Sequence, residues 1–173
     1  FSLLIIFLFI IILPKIAIST NILVIDIEEL IDTNDSYIKF LNELEISQKK
    51  YYNILNKKEL KLSQMKKEIE ESKILLSENE FNKMIDDYND KVSKFSSTVE
   101  EFNLHYKQQI LNIRKSILEE IIVLLEKYAK NNKVDLIIDS TSYLIASNAL
   151  NITNIIKNKL DDINLELDFE NFK

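Results

Sequence analysis

Glycine, cysteine and tryptophan are absent from this chain of 173 residues, and proline occurs once. Each absence removes a class of chemistry. Dinucleotide-binding turns, phosphate-binding loops and nucleophile elbows need glycine where backbone crowds a ligand or turns to positive φ. Those enzyme types are therefore excluded. Without cysteine there is no disulfide, zinc finger, thiol nucleophile or lipidated bacterial N-terminus. What is present is 46% hydrophobic and 29% charged, with a net charge of −6. A sequence so poor in turn formers reads as helix.

Leu3 to Leu13 form an unbroken run of eleven apolar residues, followed by Pro14, Lys15 and the small-residue pattern Ala17-Ile18-Ser19. As helix the run rises about 16 Å, roughly half a bilayer core. It predicts a signal peptide over 1–19 with cleavage after Ser19; an uncleaved membrane anchor is the competing reading. Cleavage there loses only Lys15 among charged residues, leaving 21 basic against 28 acidic side chains and a net charge of −7.

Two heptad-like seams follow. From Tyr37 the positions alternately four and three apart are Tyr37, Leu41, Leu44, Gln48, Tyr51, Leu55, Lys58, Leu62, Met65, Ile69, Ser72 and Leu76, nine of the twelve apolar. The return seam has fourteen consecutive apolar positions, from Phe81 and Ile85 through Phe102 and Tyr106 to Leu124 and Tyr128. Between them Ser77, Glu78 and Asn79 interrupt the pattern, which predicts an antiparallel helical hairpin over 36–131 with its tip near 77–79. A dimeric coiled coil is the alternative. Large aromatics on the return seam predict a loosely packed arm.

The two ends of the chain predict a small body from 20–35 and 132–173. Asn21 to Ile27 (NILVIDI) is a nearly continuous apolar run, as in a buried strand. Val134 to Asp139 (VDLIID) reads as a second strand and Tyr143 to Ser147 (YLIAS) as a third, paired with it in a hairpin. Asn151 is placed to cap a final amphipathic helix bearing Ile152, Ile155, Ile156, Leu160 and Ile163. The fold class is thus α+β, mostly α: a long helical hairpin on a small β-sheet body. So small a body buries little apolar surface alone, so self-association is expected. The candidate assembly strands are Leu23, Val24, Ile25 and Leu136, Ile137, Ile138.

A cleavable signal, the strand ILVIDIEEL, a helical hairpin, then VDLIID and a final ITNIIKNKL helix together resemble the Skp/OmpH family of periplasmic chaperones. The most specific pieces are Ile22 to Leu30 and Lys133 to Leu160. The resemblance implies a homotrimer in which the β-bodies join and three arms surround a cavity. It implies ATP-independent holding of unfolded outer-membrane proteins in the periplasm. The best-studied members are strongly basic, whereas this chain after cleavage stands at −7. The family's basic lipopolysaccharide-binding cluster has no residue-by-residue counterpart here, so no site is carried over.

Catalytic chemistry is sparse, and neither an enzyme nor a cofactor is expected. His105 is the only histidine and reads as a flank residue of the return helix. Asp86-Asp87-Asp90, Glu100-Glu101 and Asp161-Asp162 read as solvated helix faces, and Asp135 and Asp139 as charged strand ends. Charge is unevenly placed along the arm: Lys49 to Lys67 nets +6 and Glu78 to Glu101 nets −4. Paired antiparallel, these blocks are expected to neutralise each other in part across the hairpin. The functional reading is that lysines facing a cavity attract acidic clients, anionic lipid or lipopolysaccharide. The candidate client-contacting residues are Lys49, Lys50, Lys57, Lys58, Lys61, Met65, Lys66, Lys67 and Met84. Nucleic acid is excluded as a partner by charge sign and secretion. A structural or adaptor coiled coil of the cell envelope, binding one folded partner, is the competing function.

Overall fold

The computed structural model describes residues 20–173. The signal peptide expected over 1–19 lies outside the described residues. Ile22–Ile25 forms strand β1, and the next residue, Asp26, accepts the Glu29 N–H (2.9 Å) to cap helix α1, Ile27–Asp32. Asn34 repeats the device by accepting the Tyr37 N–H (3.1 Å) at the start of α2, Asp35–Ser72. Both caps satisfy N–H groups that a helix start leaves without partners.

The chain turns over residues 73–77. The Ser77 N–H donates to Glu80 Oε2 (3.2 Å) at the entry to α3, Glu78–Asn132. Of the residues expected at the tip, Ser77 caps α3, and Glu78 and Asn79 already lie within it. Helices α2 and α3 are antiparallel, as successive contacts Tyr37 to Arg114, Ser47 to Tyr106 and Tyr51 to Phe102 require. With 55 residues, α3 is about 82 Å long at 1.5 Å per residue. All fourteen positions of its apolar seam are buried or half-buried.

Lys133 ends α3 in the left-handed region, at φ 54° and ψ 46°. The Val134 N–H then donates to the Ala129 carbonyl (3.0 Å). This is the position helices usually give to glycine. With a Cβ present, the conformation costs on the order of 1 kcal/mol.

Strand β2, Leu136–Asp139, pairs parallel with β1, Ile22 opposite Leu136 and Ile25 opposite Asp139. Parallel strands need a long crossover, and here the helical hairpin supplies it. The sheet has two strands rather than the three expected. Asp139 caps a 3-10 turn over Ser140–Ser142, and residues 143–147 follow with no ladder partner. The expected hairpin partner of β2 is thus not formed, and the chain instead returns to the other strand, where Asn151 bridges to Val24 and the Ile152 N–H donates to the Val24 carbonyl (2.9 Å). The N-cap position of α4, Thr153–Asp161, is Ile152 rather than the expected Asn151, whose Oδ1 accepts the Thr153 N–H (2.8 Å) from one residue further out.

The body's core forms where α1, the last third of α3 and α4 meet, with Leu30, Ile117, Ile121, Ile156 and Leu160 all buried. Each such side chain contributes on the order of 1.5–3 kcal/mol. Beyond α4 the chain does not stay in the body. Residues 164–173 lie along the arm, where Phe169 meets Phe40 edge-on (6.0 Å) and Phe172 meets Tyr51 (4.8 Å).

Candidate functional site

On the distal arm, Leu62 and Met65 of α2 and Phe95 of α3 floor an open cavity of about 360 Å³. All three are seam residues, and all three stay half-buried because two helices alone cannot enclose large side chains. Lys58, Lys61, Lys91 and Lys94 rim this floor, with Thr98 beside them. A lysine so placed lays its apolar stem on the floor and keeps its ammonium in water. The result is an apolar strip rimmed by four lysines.

The charges are not cancelled across the hairpin. Lys91 donates to Asp87 and Lys94 to Asp90, each at 2.6 Å and each within α3. Lys49 pairs with Glu45 of its own helix (2.7 Å). Among the described residues, no ion pair joins the 49–67 block to the 78–101 block. The expected mutual neutralisation is therefore not made: the acids of α3 find lysines one turn away, a shorter reach than the facing helix. The hydrogen bond and charge of Asp90 hold the Lys94 ammonium above its ordinary pKa, so it stays charged at neutral pH.

Of the expected contact residues, Lys58, Lys61 and Met65 meet in this cavity. Lys49 lines a second depression with Tyr52 and Phe102. Lys50, Lys57, Lys66 and Lys67 are exposed along α2, and Met84 is half-buried nearer the tip. Sequence reasoning missed Lys91 and Lys94, having counted the return helix by its net acidity. The tip carries a further apolar patch, with Ile74 92% and Leu75 84% exposed.

The arm is fixed to the body by Arg114. Its guanidinium donates to Asp32 (2.7 Å) and Tyr37 Oη (3.3 Å), bonds Glu28, and stacks over the Tyr37 ring. Hydrogen bonds to Tyr37, Asp32 and Glu28 outweigh its burial and raise its pKa. Among the strand residues expected to assemble, Val24 and Ile25 are buried within the chain itself, while Leu23, Ile137 and Ile138 are half-buried and Leu136 is exposed. Just beyond β2, Leu144 is 100% and Ile145 93% exposed. Asp135 and Asp139 tie the body together by accepting the N–H groups of Asn21 (2.8 Å) and Ile27 (3.1 Å). His105 lies against Tyr106 and Phe172. Among the described residues no cluster of three or more carboxylate or histidine side chains could hold a metal ion. Among them also, no helix is long and apolar enough to cross a membrane.

A family model described as outer membrane protein (OmpH-like) matches residues 21–160, which span β1, the whole hairpin, β2 and most of α4. The chain belongs to the OmpH-like family. An OmpH-like candidate outer-membrane chaperone from Caulobacter crescentus CB15 has the same fold, with a TM-score of 0.72 over 89% of this chain and 92% of that one. The two are 12% identical, so the likeness is one of architecture. No curated protein matches the chain. OmpH-like proteins form a chaperone family, not an enzyme family.

Proposed function

We propose that this OmpH-like protein is an ATP-independent holdase of the periplasm, which keeps unfolded outer-membrane proteins soluble between the arms of a homotrimer. The body formed by 20–35 and 132–163 assembles the trimer, and the arm over 36–131 carries the clients. The observation that supports this most is the distal cavity, in which an apolar floor and four lysines lie open on an arm whose seam is only half-buried. Such a surface offers each client segment a few weak apolar contacts and a diffuse positive field. Neither requires a defined sequence in the client. Met65 adds a side chain that adapts to different partners. Anionic lipid or lipopolysaccharide carries the same combination of apolar chain and negative charge, and fits the same cavity.

The acidic chain as a whole does not oppose this reading. With a Debye length of about 8 Å at physiological ionic strength, a client at the cavity senses the acids of the body little; of the four lysines there, Lys91 and Lys94 are partly offset by Asp87 and Asp90 of their own helix, and Lys58 and Lys61 have no ion pair among the described residues. The test is to delete residues 56–97 and join the stumps with a short flexible linker. The proposal predicts an unchanged oligomer that no longer holds several unrelated unfolded barrel proteins. Full retention of those clients by the shortened protein would overturn it. The exposed Ile74 and Leu75 favour a second reading, in which the tip docks on one folded partner. An adaptor of that kind would fail to hold unrelated clients even with its arm intact.

A further inference from the structure

Residues 163–170 alternate without exception: Ile163, Leu165, Leu167 and Phe169 are half-buried, and Asn164, Glu166, Asp168 and Glu170 are exposed. That is the period of a β-strand, yet the segment has no strand beside it. In residues 164–173 the single backbone group with a protein hydrogen bond is the Glu170 carbonyl, which meets His105 Nε2 (2.7 Å) and accepts from Gln109 Nε2 (3.1 Å). The tail is held instead by side chains. Phe169 packs on Phe40, Phe172 sits among Tyr51, Phe102 and His105 at 4.8–5.7 Å, and Asn171 accepts from Ser47 Oγ (2.6 Å). Phe40 is buried although it is no position of the heptad seam, and Ser47 joins the tail to the facing helix by bonding both Asn171 and Tyr106 (2.7 Å). The proximal arm thus presents a groove fitted to an extended chain, with aromatic sockets and donors aimed at one carbonyl.

We propose that this groove is a binding site for extended segments in which apolar and polar residues alternate and phenylalanines close the run, and that the tail is a tethered occupant which such a segment displaces. Two features of the tail suit it to leave. Its backbone edges are free, so no ladder has to break, and its apolar side chains are half-buried rather than enclosed. Alternation of this kind is the pattern of a membrane-spanning β-strand from a barrel protein. Naming that strand as the displacing segment rests on the chaperone reading; exchange of the tail itself does not. A short tether holds its ligand at an effective concentration of about 1 mM. For a segment with an intrinsic dissociation constant of about 0.1 mM, the tail then weakens apparent binding roughly tenfold.

The experiment uses the full chain and a fluorescent peptide of residues 163–173, followed by anisotropy. The double variant F169S/F172S frees the groove and is expected to bind the peptide about tenfold more tightly than the unsubstituted chain. A peptide carrying the same two serines should bind neither. Because the chain has no cysteine, S47C/N171C can lock the tail shut: oxidised it should bind no peptide, and reduced it should regain binding. Equal binding by the freed and unsubstituted chains, or by the oxidised and reduced lock, overturns the groove. An unfolded barrel protein should compete with the peptide. Peptide exchange without that competition overturns the assignment of the displacing segment while leaving the groove in place.

Discussion

Replacing Leu144 and Ile145 together by serine tests how the body assembles. Within one chain these side chains are 100% and 93% exposed, so removing them takes away no intrachain packing. If assembly covers them, each contributes on the order of 1.5–3 kcal/mol when fully buried, or about 3–6 kcal/mol per subunit for the pair. At 1.4 kcal/mol per tenfold, that weakens each association step by roughly two to four orders of magnitude. A trimer held at nanomolar concentration would then dissociate at micromolar protein. Native mass spectrometry reads the assembly, and circular dichroism with thermal melting at low concentration reads the fold of the single chain. The expected result is a smaller mass with the helical signal retained. An unchanged mass at micromolar protein would refute the argument that these two residues are covered by a neighbouring subunit.

Three further outcomes follow from the body and its junction with the arm. Arg114→Met keeps the packing stem but removes the charge-assisted bonds to Asp32 and Glu28, and is expected to cost about 2–3 kcal/mol, seen as a lower denaturant midpoint. Lys133→Gly relieves the left-handed cap and should raise that midpoint by an equivalent of about 0.5–1 kcal/mol. Burial opposes the charged form of Asp139, but hydrogen bonds from Thr141 and from the N–H groups of Ile27, Thr141 and Ser140 outweigh it and hold the carboxyl below its ordinary pKa. A depressed carboxyl stabilises the fold above its unfolded pKa of about 3.9 and loses that stabilisation as pH falls through the folded value. Between pH 5 and pH 3, therefore, the unsubstituted chain should lose more stability than Asp139→Asn. Equal losses in the two proteins would contradict that assignment.

The helical hairpin was legible because its signal is long and regular. Fourteen apolar positions in succession on the return helix all prove buried or half-buried, and no other structure buries a stripe of that period. Strands β1 and β2 were legible as short apolar runs with a change of period at each end. Tyr143 to Ser147 shows where that signal fails. An apolar run marks surface that must be covered, but it does not say whether a strand of the same chain or a neighbouring subunit covers it. Phe40 and Ser47 fell off the heptad seam: Phe40 meets Phe169 of the tail, and Ser47 bonds both Tyr106 of the facing helix and Asn171 of the tail. The alternation Leu165-Glu166-Leu167-Asp168-Phe169 was visible in the sequence, but nothing local pointed to the arm as its partner. Lys91 and Lys94 were hidden by their acidic neighbours, because net charge over a window says nothing about which side of a helix each ammonium faces.

Aggregation of unfolded barrel proteins diluted from denaturant tests the central claim most directly. Several unrelated barrel proteins, each mixed with one equivalent of the assembled protein and no nucleotide, should remain soluble and elute with it as a complex. The effect should weaken as salt rises, since the lysines of the distal cavity act through a screened field. Light scattering that rises as fast with the protein as in buffer alone, for all of these clients, would contradict the account.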